Sequence, residues 1–227
     1  MNNLPLILCI ETSAGICSVA IGKGTEILCQ VVESQKNSAA DKLQVLIDEL
    51  LSSTGLQFKD ISAVAVSGGP GSYTGLRIGV STAKGIAYAL DIPLIHIESF
   101  QAMKSQLQSQ KTENFDFYIP MIDARRTDAF LCVMDFKGEY LMPPQCVTIE
   151  ENTFDVWREK GNILVFGQEL NKFKAILSGR NMEFREPIFL YAGSMIEIAY
   201  EKFEQKLFEN IAYYEPRYYK SFHSSIK

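Results

Sequence analysis

The side chains able to do chemistry in this chain are few, and they gather where apolar runs are interrupted. The densest group is Gly68-Gly69-Pro70-Gly71-Ser72-Tyr73-Thr74-Gly75-Leu76-Arg77-Ile78-Gly79, between an apolar run at 61–67 and a helical pattern. Glycines there permit positive φ and close backbone approach, Pro70 stiffens the turn, and Thr74 is placed to cap the helix. Amides at a helix start form an anion site. No Gly-Lys-Ser/Thr follows, so this is not a Walker loop, and the spacing is not that of a Gly-x-Gly-x-x-Gly fingerprint. Taken alone, the loop serves equally well as a structural turn or as a ligand or partner site. Glu11-Thr12-Ser13 and Asp123-Ala124-Arg125-Arg126 are two further polar interruptions. Ser72 lacks the Gly-x-Ser-x-Gly setting of a hydrolase nucleophile, and the chain has only two histidines, His96 and His223, so no histidine-rich metal site can be built. The five cysteines (Cys9, Cys17, Cys29, Cys132, Cys146) include no C-x-x-C pair. They predict buried, reduced thiols in a cytosol, not disulfides or zinc ligands.

An alternation of strands and helices must position these groups. Strands are expected at 6–10, 16–21 and 26–33, then a helix at 39–53 with Leu43, Leu46, Ile47, Leu50 and Leu51 on one face, ended by Gly55. A strand at 61–67, the glycine loop, a helix to 90, a strand at 94–98 and a helix from 99 complete the first set. Beyond the polar segment 106–114 the same order starts again. Strands are expected at 117–122, 129–136 and about 145–149, a helix at 153–160 and a strand at 163–166. A short helix opened by Gly167 and an apolar strand at 186–190 follow. The last helix opens on a capping box of Ser194 with Glu197 and buries Met195, Ala199, Phe203 and Leu207.

This repetition predicts a duplicated α/β unit in which Glu11 of the first copy matches Asp123 of the second. Three consecutive strands without helices form an antiparallel meander beside a parallel portion. That is the layout of the actin/Hsp70/sugar-kinase (ASKHA) superfamily. The expected lobes are 1–104 and a reduced 105–227, whose last segment returns to the first. At 227 residues, 47% hydrophobic and 22% charged, the chain is of ordinary soluble composition. Its net charge of −5 argues against holding nucleic acid by a broadly basic surface, though a local basic patch is compatible with it. No apolar run approaches the roughly 18 residues of a membrane span, and no basic leader opens the chain.

Ile10-Glu11-Thr12-Ser13 with Ser18-Val19-Ala20, the string from Gly69 to Gly79 with Ala83-Lys84-Gly85, Asp123-Ala124-Arg125 and Glu215-Pro216-Arg217-Tyr218 together resemble the TsaB (YeaZ) family over nearly the whole chain. The resemblance implies a non-catalytic subunit that binds and activates its paralogue TsaD, with the TsaE ATPase, in forming threonylcarbamoyladenosine on tRNA. An independent ATP-dependent small-molecule kinase and a metallopeptidase are the alternatives to that reading. In TsaD a His-x-x-x-His holds a metal; here those positions align with Ser99 and Met103, which implies no metal site. Glu11, Thr12 and Ser13 are a remnant of the superfamily's first phosphate loop, with turn and capping roles. The second loop has Ala124-Arg125-Arg126 in place of glycines, and Gly167 stands alone where an adenosine loop has a pair. No cofactor of the chain's own is implied; ATP or ADP would contact it weakly, through Gly69, Pro70, Gly71, Ser72, Thr74 and Gly75, or at an interface shared with TsaD.

The same resemblance implies that the helices at 39–53 and after the glycine loop pair with TsaD. The interface residues would be Leu43, Leu46, Leu50, Arg77, Gly79, Ala83 and Ala87, while internal helix–sheet packing explains the small-residue stripe as well. Homodimers are expected when TsaD is missing. Arg125 and Arg126 are expected as solvated surface groups. The tail Tyr213-Tyr214-Glu215-Pro216-Arg217-Tyr218-Tyr219-Lys220 is expected to strap the body, with tRNA contact indirect or minor. The protein is expected in the cytoplasm, away from membranes.

Overall fold

Leu6–Glu11 (β1) is buried along nearly its whole length because it lies at the centre of a sheet covered on both faces. The structure is a computed structural model and describes residues 4–35, 38–107, 115–177 and 179–220. Unit 1 comprises Met1–Ser105 with Leu190–Pro216, and unit 2 comprises Gln106–Phe189 with Arg217–Lys227.

In unit 1, β1 pairs antiparallel with β2 (Cys17–Lys23), which pairs antiparallel with β3 (Glu26–Glu33). On its other side β1 runs parallel to β4 (Ala63–Ser67), and β4 parallel to β5 (Leu94–Ile97), giving the order β3-β2-β1-β4-β5. The period-2 alternation of each strand sends Leu8, Ile10, Val19, Ile21, Val64 and Val66 to one face. There they meet α1 (Ala39–Thr54) and α2 (Tyr73–Leu90) through Leu43, Leu46, Ile47, Leu50, Val80, Ala83 and Ala87. Gly55 ends α1 in the left-handed conformation expected of a C-terminal glycine. α6 (Ile196–Glu204) packs on β1, β2, β3 and β5. Ile196 of α6 comes so close to β2 that a Cβ on Gly22 would sit 2.4 Å from it.

Unit 2 repeats the topology. β6 (Phe117–Asp123) pairs antiparallel with β7 (Asp128–Met134), and β7 antiparallel with β8 (Tyr140–Thr148). β6 runs parallel to β9 (Ile163–Gly167), and β9 parallel to β10 (Met182–Arg185). The order β8-β7-β6-β9-β10 therefore matches that of unit 1 strand for strand, as the duplicated α/β reading requires. Phe154, Phe173 and Leu170 close its core, the last two at α5 (Asn171–Ile176).

Several local expectations are corrected. Ser72, not Thr74, caps α2: its Oγ accepts from the Gly75 amide at 3.3 Å. No strand forms at 186–190; β10 lies upstream, and the Ile188 amide donates to the Gly167 carbonyl at 2.7 Å. The helix at 153–160 contracts to α4 (Asp155–Arg158), and α3 spans Ser99–Ser105. β8 begins at Tyr140 because an edge strand needs only one apolar face, and its burial alternates. Ser194 forms no capping box: its hydroxyl bonds the Tyr191 carbonyl at 2.6 Å inside a 3-10 turn (Ala192–Met195) that precedes α6. Leu207 falls beyond α6 and is exposed. His223 and most of the 106–114 segment lie outside the described residues.

Candidate functional site

Three parallel strands of unit 1 end at one edge, and their last residues define the site. β1 ends on Glu11, β4 on Ser67, and β5 leads through Glu98 to Ser99 at the start of α3. The carboxyl ends of parallel strands are where open α/β sheets place ligand groups. Here they place a fully buried carboxyl among hydroxyls. Glu11 Oε1 accepts from the Ser13 amide, from Ser13 Oγ at 2.7 Å and from the Ala14 amide at 3.2 Å. Ser13, Ser67 and Ser99 form a triangle of hydroxyls with Oγ separations of 3.2, 3.3 and 2.9 Å. Burial pushes the Glu11 carboxyl up to about 7, and the surrounding hydroxyls and amides, which favour the anion, offset only part of this. Glu11 Oε2 has no hydrogen-bond partner among the described residues, so it is the natural seat of the proton.

The glycine loop closes over this cluster. The Ser72 amide donates to the Ser13 carbonyl at 2.7 Å, Thr12 Oγ1 donates to the Gly75 carbonyl at 2.7 Å, and the Ser99 amide donates to the Gly69 carbonyl at 3.0 Å. Gly69 holds φ 112, a conformation that side chains rarely adopt. At Gly71, Gly75 and Gly79 the requirement is space: a Cβ would stand 2.5 Å from the Ser13 carbonyl oxygen, 2.0 Å from that of Thr12 and 2.3 Å from Thr12 Oγ1. The Thr12 hydroxyl is thus spent on the chain's own backbone, and the Ser13 hydroxyl on the side chains of Glu11, Ser67 and Ser99.

The metal position is likewise filled by other chemistry. Ser99 Oγ bonds Ser67 Oγ, and Met103 is a core residue. His96 at the end of β5 is buried, with Nδ1 2.7 Å from Tyr214 Oη and its carbonyl accepting from Lys202 Nζ at 2.8 Å. No group of three or more His, Cys, Asp or Glu among the described residues could hold a metal ion. Burial raises the Cys9 and Cys17 thiols, which keeps them protonated and unreactive. No helix among the described residues is long and apolar enough to cross a membrane.

The residues that the resemblance assigns to a partner interface divide by exposure. Leu43, Leu46, Leu50, Gly79, Ala83 and Ala87 face the sheet and are buried in unit 1, because the apolar stripe of an amphipathic helix is first satisfied by its own core. Within unit 1 they therefore take the helix–sheet packing role that the small-residue stripe also allowed. The outward faces of the same two helices carry Val45, Ser81, Gly85 and Tyr88, and Arg77, whose guanidinium lies 4.1 Å over the Tyr73 ring. Sequence reasoning did not foresee the roles of Ser67, Ser99, Lys84 and Tyr214. Lys84 Nζ bonds the Tyr214 carbonyl at 2.9 Å, a partner 130 residues away that no local pattern reveals.

In unit 2 the equivalent of Glu11 is Asp123, and it stays at the surface. Its Oδ1 accepts from the Arg125 amide at 2.6 Å and from Lys172 Nζ at 2.5 Å. Gly167 is a packing glycine: a Cβ would meet the Met121 carbonyl oxygen at 2.3 Å.

A family model described as TsaD, tRNA N6-adenosine threonylcarbamoyltransferase, matches residues 26–226. The tRNA threonylcarbamoyladenosine biosynthesis protein TsaB of Bacillus subtilis is 28% identical over 176 residues, covering 75% of this chain and 74% of that protein. TsaB of Haemophilus influenzae is 34% identical over 134 residues, 57% of this chain and 53% of that one. The tRNA N6-adenosine threonylcarbamoyltransferase of Halalkalibacterium halodurans is 40% identical over 62% of this chain, a match that spans 45% of that enzyme. Among solved structures, YeaZ from Pseudomonas aeruginosa superposes with a TM-score of 0.80 at 19% identity, covering 95% of this chain and all of that one. That likeness shows the fold.

Proposed function

We infer that this chain, which belongs to the TsaB branch of the TsaD family of tRNA threonylcarbamoyladenosine biosynthesis proteins, is a non-catalytic subunit that binds TsaD and supports threonylcarbamoyladenosine formation on tRNA. The observation that carries the reading is the closure of the turn after β1. Glu11, Thr12 and Ser13, the residues a superfamily member would turn toward phosphate, are buried and hydrogen-bonded to the chain itself. Chemistry is left to the partner, with TsaE as a further component, and nucleotide meets this chain only at a shared surface. The protein would work in the cytoplasm and self-associate when TsaD is missing.

The outer face of α1 and α2 is the proposed docking surface. Val45 is 55% exposed and Tyr88 81% exposed on these two helices. Nothing stands within 4 Å of where a Cβ on Gly85 would sit, which leaves a flat spot where another helix can approach. Co-purification with the cognate TsaD tests this. Neither Gly85→Arg nor Val45→Asp should lower the melting temperature by more than about 2 °C, since both sites are exposed and arginine at 85 gains helix propensity. Together they should abolish the complex. Retention of TsaD by the double variant would remove this face from consideration. ATP turnover by the purified chain without partner would favour the kinase reading instead.

A further inference from the structure

The β6–β7 turn of unit 2 carries a concentration of positive charge that pairing through α1 and α2 does not use. Asp123 and Asp128 bracket the turn, and each carboxylate is engaged by a lysine. Lys172 Nζ lies 2.5 Å from Asp123 Oδ1, and Lys220 Nζ lies 2.7 Å from Asp128 Oδ2. The same lysines reach turn carbonyls, Lys172 that of Arg126 at 2.7 Å and Lys220 that of Ala124 at 2.9 Å. Lys220 and the Thr148 hydroxyl hold the Asp128 carboxyl below its ordinary range, so it remains a committed anion.

Both arginines are exposed; the charge of Arg126 adds to the lowering of the Asp128 carboxyl, and no hydrogen bond from either guanidinium to the described residues is found. Both also lie in the left-handed region, at φ 72 and φ 52. That conformation costs a non-glycine residue about 1 kcal/mol or more, and such strain gathers at functional positions. Glycine would remove the cost. Arginine in its place puts two consecutive cations in the turn, whose carbonyls at Ala124 and Arg126 the two lysines bind.

We propose that this turn contacts the phosphate backbone of tRNA, with Arg125 and Arg126 on neighbouring phosphates and Lys172 and Lys220 fixing the turn. The proposal rests on the threonylcarbamoyladenosine reading, which supplies tRNA as the polyanion, and it makes direct a contact that the family resemblance implies only as indirect. A guanidinium matches phosphate oxygens bidentately. Backbone contacts of this kind position an RNA without reading its sequence. On a chain of net charge −5, a local cationic turn also sets the orientation in which RNA can approach.

The test is fluorescence anisotropy with labelled tRNA between about 50 and 200 mM KCl, using the full chain alone and in complex with TsaD. The Arg125→Ala/Arg126→Ala variant should weaken binding roughly tenfold at about 0.1 M salt and flatten the salt dependence by about two phosphate contacts. Arg125→Lys/Arg126→Lys should keep the slope. Arg125→Gly/Arg126→Gly should lose it while melting no lower than wild type, which separates loss of charge from loss of fold. Equal affinity and slope for wild type and the alanine variant would overturn the proposal, as would absence of tRNA binding by wild type in both forms. So would displacement of tRNA by millimolar ATP, which would assign the turn to a nucleotide. TsaD capture by the same variants is scored separately. Its loss in wild type would sink the subunit reading and leave the tRNA result standing.

Discussion

Gly75→Ala destabilises the protein by about 3 kcal/mol, the upper part of the range for overpacking a closed site. A methyl group at 75 would stand 2.0 Å from the Thr12 carbonyl oxygen, which is backbone and cannot swing aside. That carbonyl is held by the β1–β2 turn, itself fixed by the Ser13 and Ala14 amides on Glu11 and by the Ser72 amide on Ser13. Relief requires α2 to lift from the sheet, which uncovers Val80, Ala83 and Ala87. The expected drop in melting temperature is roughly 10 °C. Gly85→Ala is the internal comparison, since both glycines lie in the same helix. Nothing stands within 4 Å of a Cβ at 85, so alanine there should gain about 0.5–1 kcal/mol from helix propensity alone. Thermal melts of both variants decide the matter. Equal melting of Gly75→Ala and wild type would show that the loop does not close on the turn as described.

The second large effect is a pH dependence that Glu11→Gln removes. The carboxyl has its ordinary value of 4.5 in the unfolded chain and about 7 in the folded one. Below 4.5 it is protonated in both states and costs nothing. As pH rises from 4.5 to about 7 the unfolded chain releases the proton while the folded chain retains it, so stability falls by about 1.4 kcal/mol per pH unit. The loss totals about 3 kcal/mol by neutrality and is constant above it. Cys17 lies close enough to feel the charge at position 11, so ionisation there would also press on a buried thiol. Glutamine reproduces the neutral form at all pH values. Urea unfolding at about pH 4 and about pH 8 should therefore show Glu11→Gln close to wild type at the lower pH and about 3 kcal/mol more stable than it at the higher. Taking the difference between the two proteins cancels the titration of every other group. A difference that does not change with pH would mean that Glu11 is ionised in the fold.

In unit 1 this carboxyl is buried and its neighbouring hydroxyls are turned inward onto it and each other. Unit 2 has the opposite character at the matching place. Asp123 is exposed and paired with Lys172, and two arginines extend beside it. Duplication followed by divergence has left one copy of the loop as an internal fastening and the other as a surface.

The order of elements was written in the chain itself. Strand alternation and helix stripes depend on neighbours two to four positions away, so their periods are legible locally. β3 at Glu26–Glu33 and the start of α1 at Ala39 are found where the pattern puts them, and the repeated strand order follows from the repeated pattern. Which way each face turns is another matter, resolved only when distant segments meet. Ala83 and Ala87 look the same in sequence whether they meet a sheet or a partner helix, and burial against Val64 and Val66 in one core resolves it. The glycine string likewise shows permission for close approach but not what approaches. The turn bearing Thr12, far earlier in the chain, supplies that answer through strand pairing of β1 with β4. The proton on Glu11 is the plainest case: composition marks an acidic residue, and only complete removal from water raises its carboxyl to about 7.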